Sequence, residues 1–317
     1  MHKDRTIIEH YVAPLEETPL AETDKVKEDL QPLSLWGEAW RNLRKQPLFI
    51  ISSLLILLIL AAAAFPGLFT SASPDEGCML SDSNAGPSAG HPLGFTFQGC
   101  DVYARVIYGA RASVMVGVLT TIAVVIIGGI VGALAGYYGG VLDAVLARVG
   151  DIFFALPLIL GAIIIMQLPA FRTNRTVLTV VVTLLIFGWP QVARITRAAV
   201  ISVRNADFVV ASQALGVSKF SALVKHVVPN SIAPVIVIAT ISLGTFIVAE
   251  STLSFLGIGL PPSVMSWGND ISSAQTSLRT NPATLLWPAA ALSITVLSFI
   301  MLGDAIRDAL DPKARKR

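Results

Sequence analysis

Six long apolar runs without a single charge constrain this chain more than any other feature. They cover residues 48–65, 112–142, 152–171, 176–193, 227–249 and 280–303. An α-helix needs about 20 apolar residues to cross ~30 Å of hydrocarbon. Six such runs predict six spanning helices. The second run is longer than one span, and Gly136, Gly139 and Gly140 are expected to end the helix inside it. The fifth is expected to continue past Glu250 until Gly257, Gly259, Pro261 and Pro262 break it. Only 14% of the 317 residues are charged, against roughly 25% in soluble globular domains. That deficit excludes an ordinary soluble fold. A cleavable signal peptide is not expected, because the first apolar run follows 47 mostly polar residues and is too long for one.

Charge placement orients the spans. With the N-terminus in the cytoplasm, 18 of the 23 Lys and Arg residues fall on the inner side. Arg105, Arg111, Arg172, Arg175 and Arg279 fall outside. The bias places both termini in the cytoplasm. Residues 1–32 read as a flexible, acidic cytoplasmic tail. In residues 33–47, Trp36, Trp40 and Leu43 recur at helical spacing beside Arg41, Arg44 and Lys45. This predicts an interfacial amphipathic helix, the alternative being an extension of the first span. Residues 48–312 then form a six-helix domain with an outer loop at 70–110, a cytoplasmic loop at 205–229 and an outer segment at 257–284.

The cytoplasmic loop carries the most specific pattern, DFVVASQALGVSKFSALVKHVVP at 207–229. Phe208, Ala211, Ser212 and Leu215 recur at i, i+3, i+4 and i+7, so a helix from Asp207 shows one small, apolar face. Gly216 fits a left-handed helix stop. Ser218 can cap a second helix with apolar positions Phe220, Leu223, Val224 and Val227, and Pro229 is expected to close the unit. Such a loop gains nothing in lipid; a partner protein could grip it.

This stretch resembles the EAA loop of ABC-importer permeases, which reads E-A-A, three residues, Gly, nine residues, Ile, any residue, Leu-Pro. Gly216 and Pro229 match in place. Val210, Ala211 and Ser212 stand where E-A-A would be, His226 at the Ile position and Val228 at the Leu position. Further stretches are similar to the C-type subunit of dipeptide, oligopeptide and nickel permeases: HPLG at 91–94, YGARASVMVG at 108–117, GYYGGVLD at 136–143, ESTLSFLGIG at 250–259, SWGN at 266–269 and LGDAIRDALDP at 302–312. Their order matches the family from about Trp36 to Pro312. In the first of these the chain departs from the family, with Phe95, Thr96 and Cys100 in place of Thr, Asp and Arg.

Other candidate residues are few. Cys78 and Cys100 share the outer loop, where an oxidising environment permits a disulfide; two free thiols are the alternative. Glu250 is a lone carboxylate in a long uncharged stretch. It reads either as a translocation-path residue meeting a substrate amine or as a local structural partner. No P-loop occurs, so no ATP site is expected in this chain. The four His, at 2, 10, 91 and 226, are dispersed and predict no metal site. GPSAG at 86–90 has the G-x-S-x-G spacing but sits in a Gly/Pro-rich loop, and reads as chance.

The resemblance implies an all-α integral membrane protein of the type I ABC-importer permease fold, with six transmembrane helices. It implies no catalytic residue and no cofactor here, with ATP and Mg bound by partner ATPase subunits. It implies a heterodimer with a homologous second permease subunit, two ATPase subunits, an extracytoplasmic solute-binding protein and a bacterial inner-membrane location. The ATPase-docking residues would be Asp207, Phe208, Val210, Ala211, Ser212, Leu215, Gly216, His226 and Pro229. Di- or oligopeptides are the expected cargo, with a nickel chelate or glutathione as alternatives and a secondary transporter as a reading from another class.

Overall fold

The computed structural model describes residues 35–310. The tail at 1–32 and residues 311–317 lie outside the described residues. Every regular element among the described residues is helical. A short amphipathic α1 (Leu35–Leu43) turns into α2 (Pro47–Ala64). After the outer loop come α3 (Val102–Tyr138), α4 (Gly140–Phe154), α5 (Leu158–Met166), α6 (Pro169–Arg172) and α7 (Val177–Val203). The cytoplasmic loop holds α8 (Asp207–Ala214) and α9 (Lys219–Ala222). A π turn, Leu223–Val227, leads into α10 (Val228–Phe255), followed by α11 (Trp267–Ala274) and α12 (Ala283–Leu310). Five of the described helical stretches are long and apolar enough to cross a membrane, and the pair α4 and α5 would make a sixth span.

The central contact is α3 against α7. Gly128, Gly132 and Gly136 repeat every fourth residue on α3 and lie against the α7 backbone. A Cβ on Gly128 would come within 2.7 Å of the Trp189 carbonyl, and one on Gly136 within 2.8 Å of the Arg197 carbonyl. Small residues let membrane helices approach this closely and gain dispersion contact, since lipid supplies no hydrophobic drive. α10 packs on α3, α7 and α12, and α2 closes the other side against α3 and α12. Val116, Val124, Val180, Leu184 and Leu253 fill the main core between α3, α7 and α10.

Three expectations need correction. The third span is not one straight helix: α4 and α5 meet at 82°. Pro157 stands at the break with φ −57° and ψ 128°, and having no N–H it cannot continue the ladder. Both halves of the broken pair still pack against α7. Asp143 pairs with Arg197, Asp151 with Arg194, and Met166 with Thr183. The second span starts ten residues before 112, because Asp101 caps α3 by accepting from the Ala104 amide at 2.9 Å and Arg105 finds a carboxylate partner in Asp270. Pro229 does not close the cytoplasmic unit. The wide π turn directly before it absorbs the missing donor, and the helix runs unbroken from Lys219 to Phe255. In α1, Trp40 is exposed and Leu43 is buried, as an amphipathic helix has it.

Candidate docking surface and outer-end clusters

The cytoplasmic loop projects from the inner end of α7. Asp207 lies in the first turn of α8, where its charge complements the helix dipole. The helix ends in a Schellman turn: the Val217 amide donates to the Ser212 carbonyl at 3.1 Å and the Gly216 amide to that of Gln213 at 3.0 Å. Gly216 takes φ +90°, a conformation that costs other residues strain. Ser218 caps α9 by accepting from the Ser221 amide.

This geometry divides the loop's apolar residues into two sets. Val209, Leu223 and Val227 are buried together with Val200 and Ala133. Phe208, Val210, Ala211 and Leu215 face outward, Leu215 at 87% exposure, and Phe220 and Val224 extend the same apolar surface. Ser212 is half-buried, its hydroxyl turned back to the Val209 carbonyl. His226 is half-buried, and its carbonyl accepts from Asn230 Nδ2 at 2.6 Å. Pro229 is exposed.

Three residues that the sequence reading passed over fasten the loop. Val209 is the buried anchor. Which of the adjacent valines, 209 or 210, turns inward depends on where the helix begins, and periodicity alone does not fix that. Gln213 Nε2 donates to the Tyr137 hydroxyl at 2.9 Å. Arg204 Nη1 donates to the Gly136 carbonyl at 2.7 Å. The surface helix is thus tied to α3 and α7.

At the outer end, Glu250 is fully buried. Ser254 Oγ donates to its Oε1 at 2.8 Å and Ser251 Oγ to its Oε2 at 3.2 Å. The Ser113 and Ser266 side chains lie against it. Three of these four serines also accept from backbone amides. Ser113 accepts from the Trp267 amide, Ser254 from the Leu260 amide and Ser266 from the Asn269 amide. The carboxylate is therefore the hub joining α3, α10 and the outer segment that carries α11. Beside it, Asp270 on α11 is held by Arg105, while burial pushes its carboxyl above the ordinary value.

The outer loop is folded by its own contacts. Cys78 and Cys100 are joined by a disulfide. His91 Nδ1 pairs with Asp101 Oδ2, so the residue that caps α3 also holds the outer loop. Ser88 of GPSAG sits in a small bridge with His91, not on a strand-to-helix elbow. No cluster of three or more His, Cys, Asp or Glu side chains that could hold a metal occurs among the described residues.

Residues 128–316 match the family described as binding-protein-dependent transport system inner membrane component. The chain belongs to this family. Residues 34–87 also match the N-terminal TM domain of oligopeptide transport permease C. The permease is 36% identical over 300 residues to the dipeptide transport system permease protein DppC of Alkalihalophilus pseudofirmus, covering 94% of this chain and 96% of that protein. It is 35% identical to the oligopeptide transport system permease protein OppC of Bacillus subtilis, covering 92% and 94%. With the glutathione transport system permease protein GsiD of Pectobacterium atrosepticum the identity is 31%, covering 88% and 92%. In fold it is similar to a chain of the inward-facing MetNI methionine ABC transporter, with a TM-score of 0.53 and 19% identity over 65% of this chain and 96% of that one. The permease is thus a multi-pass inner-membrane subunit of an ABC importer of the peptide permease group. Membership implies ATPase, binding-protein and second-permease partners.

Proposed function

We propose that this permease imports di- or oligopeptides as half of a heterodimer with a homologous permease subunit. Two ATPase subunits bind ATP and Mg on the cytoplasmic side, and a solute-binding protein delivers cargo to the outer face. The relatives named for dipeptide and oligopeptide transport, at 36% and 35% identity, support this cargo. Glutathione, itself a small peptide, is the second reading, supported by the relative at 31%.

One observation carries the docking role: the outward apolar face of α8, ended by Gly216, at the inner end of the bundle. Phe208, Val210 and Leu215 fill a groove of one ATPase, and Ala211 and Ser212 allow close approach. Closure of the ATPases pushes α8, and Val209, Gln213 and Arg204 pass the thrust to α3 and α7. Packed helices then move as rigid bodies. The burial of Glu250 favours a structural role over a cargo contact.

Gly216→Val tests the coupling. A Cβ at Gly216 meets nothing within 4 Å, so the only penalty is backbone strain at positive φ. The expected result is a permease that reaches the membrane and pairs with its partner subunit but loses uptake and ATPase association. Normal uptake by the variant would overturn the role given to this turn.

A further inference from the structure

The break in the third span opens a cavity of about 250 Å³. Phe153, Phe154 and Pro157 line one side, Phe187 and Gln191 of α7 a second, and Ser242, Thr245 and Phe246 of α10 a third. Gln191 is near the middle of the 27-residue α7, and Ser242 and Thr245 near the middle of the 28-residue α10. Gln191 also lies close to the inner end of the uncharged run 176–193, so the cavity opens in the inner half of the membrane.

Its polar groups do not suit a lipid-facing position. The Gln191 side chain is exposed and makes no hydrogen bond to any described residue. Thr245 is also exposed, but its hydroxyl is satisfied by the Ile241 carbonyl at 3.3 Å. An unpaired amide in hydrocarbon costs several kcal/mol. One turn further in along the same stripe of α7, Arg194 is 3.3 Å from Asp151, and both are more than half exposed. A charged pair open at its sides calls for water. Broken membrane helices are also a recurrent way to expose polar backbone to a solute, and Pro190 here has no N–H to give the Ile186 carbonyl.

We propose that this cavity lines the translocation path and that Gln191 contacts the main-chain amides of a passing peptide. A carboxamide offers a donor and an acceptor that match any peptide group whatever its side chains. The phenyl rings around it accept side chains of varied shape by contact. The proposal rests on the peptide-import reading above.

The permease lends itself to a thiol test, because its two native cysteines are bonded to each other. Gln191→Cys, Thr245→Cys and, as a lipid-facing control on α2, Leu57→Cys are each expressed in the complete importer. Membranes are treated with a small, charged, water-soluble thiosulfonate, with and without a pool of di- to pentapeptides, and uptake of the pool is measured in parallel. The expected result is labelling at 191 and 245 but not at 57, slowed several-fold by the peptides. No labelling at 191 and 245 means that lipid or another subunit covers this face, and overturns the proposal. Labelling without protection, in a complex that takes up the pool, leaves an aqueous path but removes the cargo contact. Absence of uptake in the unsubstituted importer instead overturns the peptide reading and with it the ligand class named here.

Discussion

Arg105 and Asp270, 165 residues apart in sequence, meet through two hydrogen bonds to one carboxylate oxygen, at 2.9 Å from Nε and 2.5 Å from Nη2. A third donor, Nη1, reaches the Pro74 carbonyl at 3.4 Å. One guanidinium thus pins both the outer loop and α11 to the start of α3.

The two halves of this pair are not equivalent. Arg105→Ala leaves a buried carboxylate alone and is expected to cost about 3–5 kcal/mol. Asp270→Asn is expected to cost less, because Arg105 is nearer the surface, with 16% of its side chain exposed against 8% for Asp270. Thermal unfolding of the purified complex reads the order; the reverse order would show that Asp270 is not the buried partner.

Glu250→Gln is expected to lower the yield of folded complex while leaving uptake per folded complex unchanged. Hydrogen bonds to a charged group are worth roughly 1.5–3 kcal/mol each, and Gln offers one acceptor oxygen where Ser251 and Ser254 now donate to two. Lower uptake per folded complex, at normal yield, would instead assign the carboxylate to cargo.

Thiol labelling of the denatured protein is expected to find no reactive cysteine before reduction and two after it. The bond spans a sequence separation of 22 residues, and removing it by Cys78→Ser with Cys100→Ser is expected to cost ~3 kcal/mol on the chain-entropy estimate. Two thiols labelled without reductant would exclude the bond.

Gly128 and Gly129 form an internally controlled pair. A side chain at Gly128 runs into the Trp189 carbonyl, whereas at Gly129 nothing lies within 4 Å. Gly128→Leu is expected to separate α3 from α7, costing on the order of 1–3 kcal/mol or more, and Gly129→Leu to be tolerated. Equal loss of folded protein from both would contradict the packing.

What the sequence made legible was local. Gly216 and Ser218 mark the cytoplasmic turn because a positive φ and an N-cap each demand particular residue types, whatever lies around them. The spans were legible because hydrocarbon imposes a length. The break at Pro157 was not, since a run free of charge stays apolar across a kink. The early start of α3 was hidden because Arg105 and Arg111 look like the end of a span until Asp270 is seen across from Arg105. The glycine stripe at 128, 132 and 136 was present in the sequence, but its partner face on α7 belongs to tertiary structure. Glu250 was visible as an anomaly; the serines that resolve it come from three separate segments.

The π turn at Leu223–Val227 makes one rod of what the sequence divides at Pro229. From Lys219 to Phe255 it holds 37 residues, about 55 Å at ~1.5 Å per residue. One end carries the apolar surface beside Gly216, and the other ends just beyond the Glu250 hub that clasps α11. Such a rod is a lever arm: a tilt of ~5° about its inner end swings the outer end by ~5 Å over that length. A small rotation at the inner end needs no relay of rearranging side chains to be felt at the extracytoplasmic mouth, because leverage alone magnifies it.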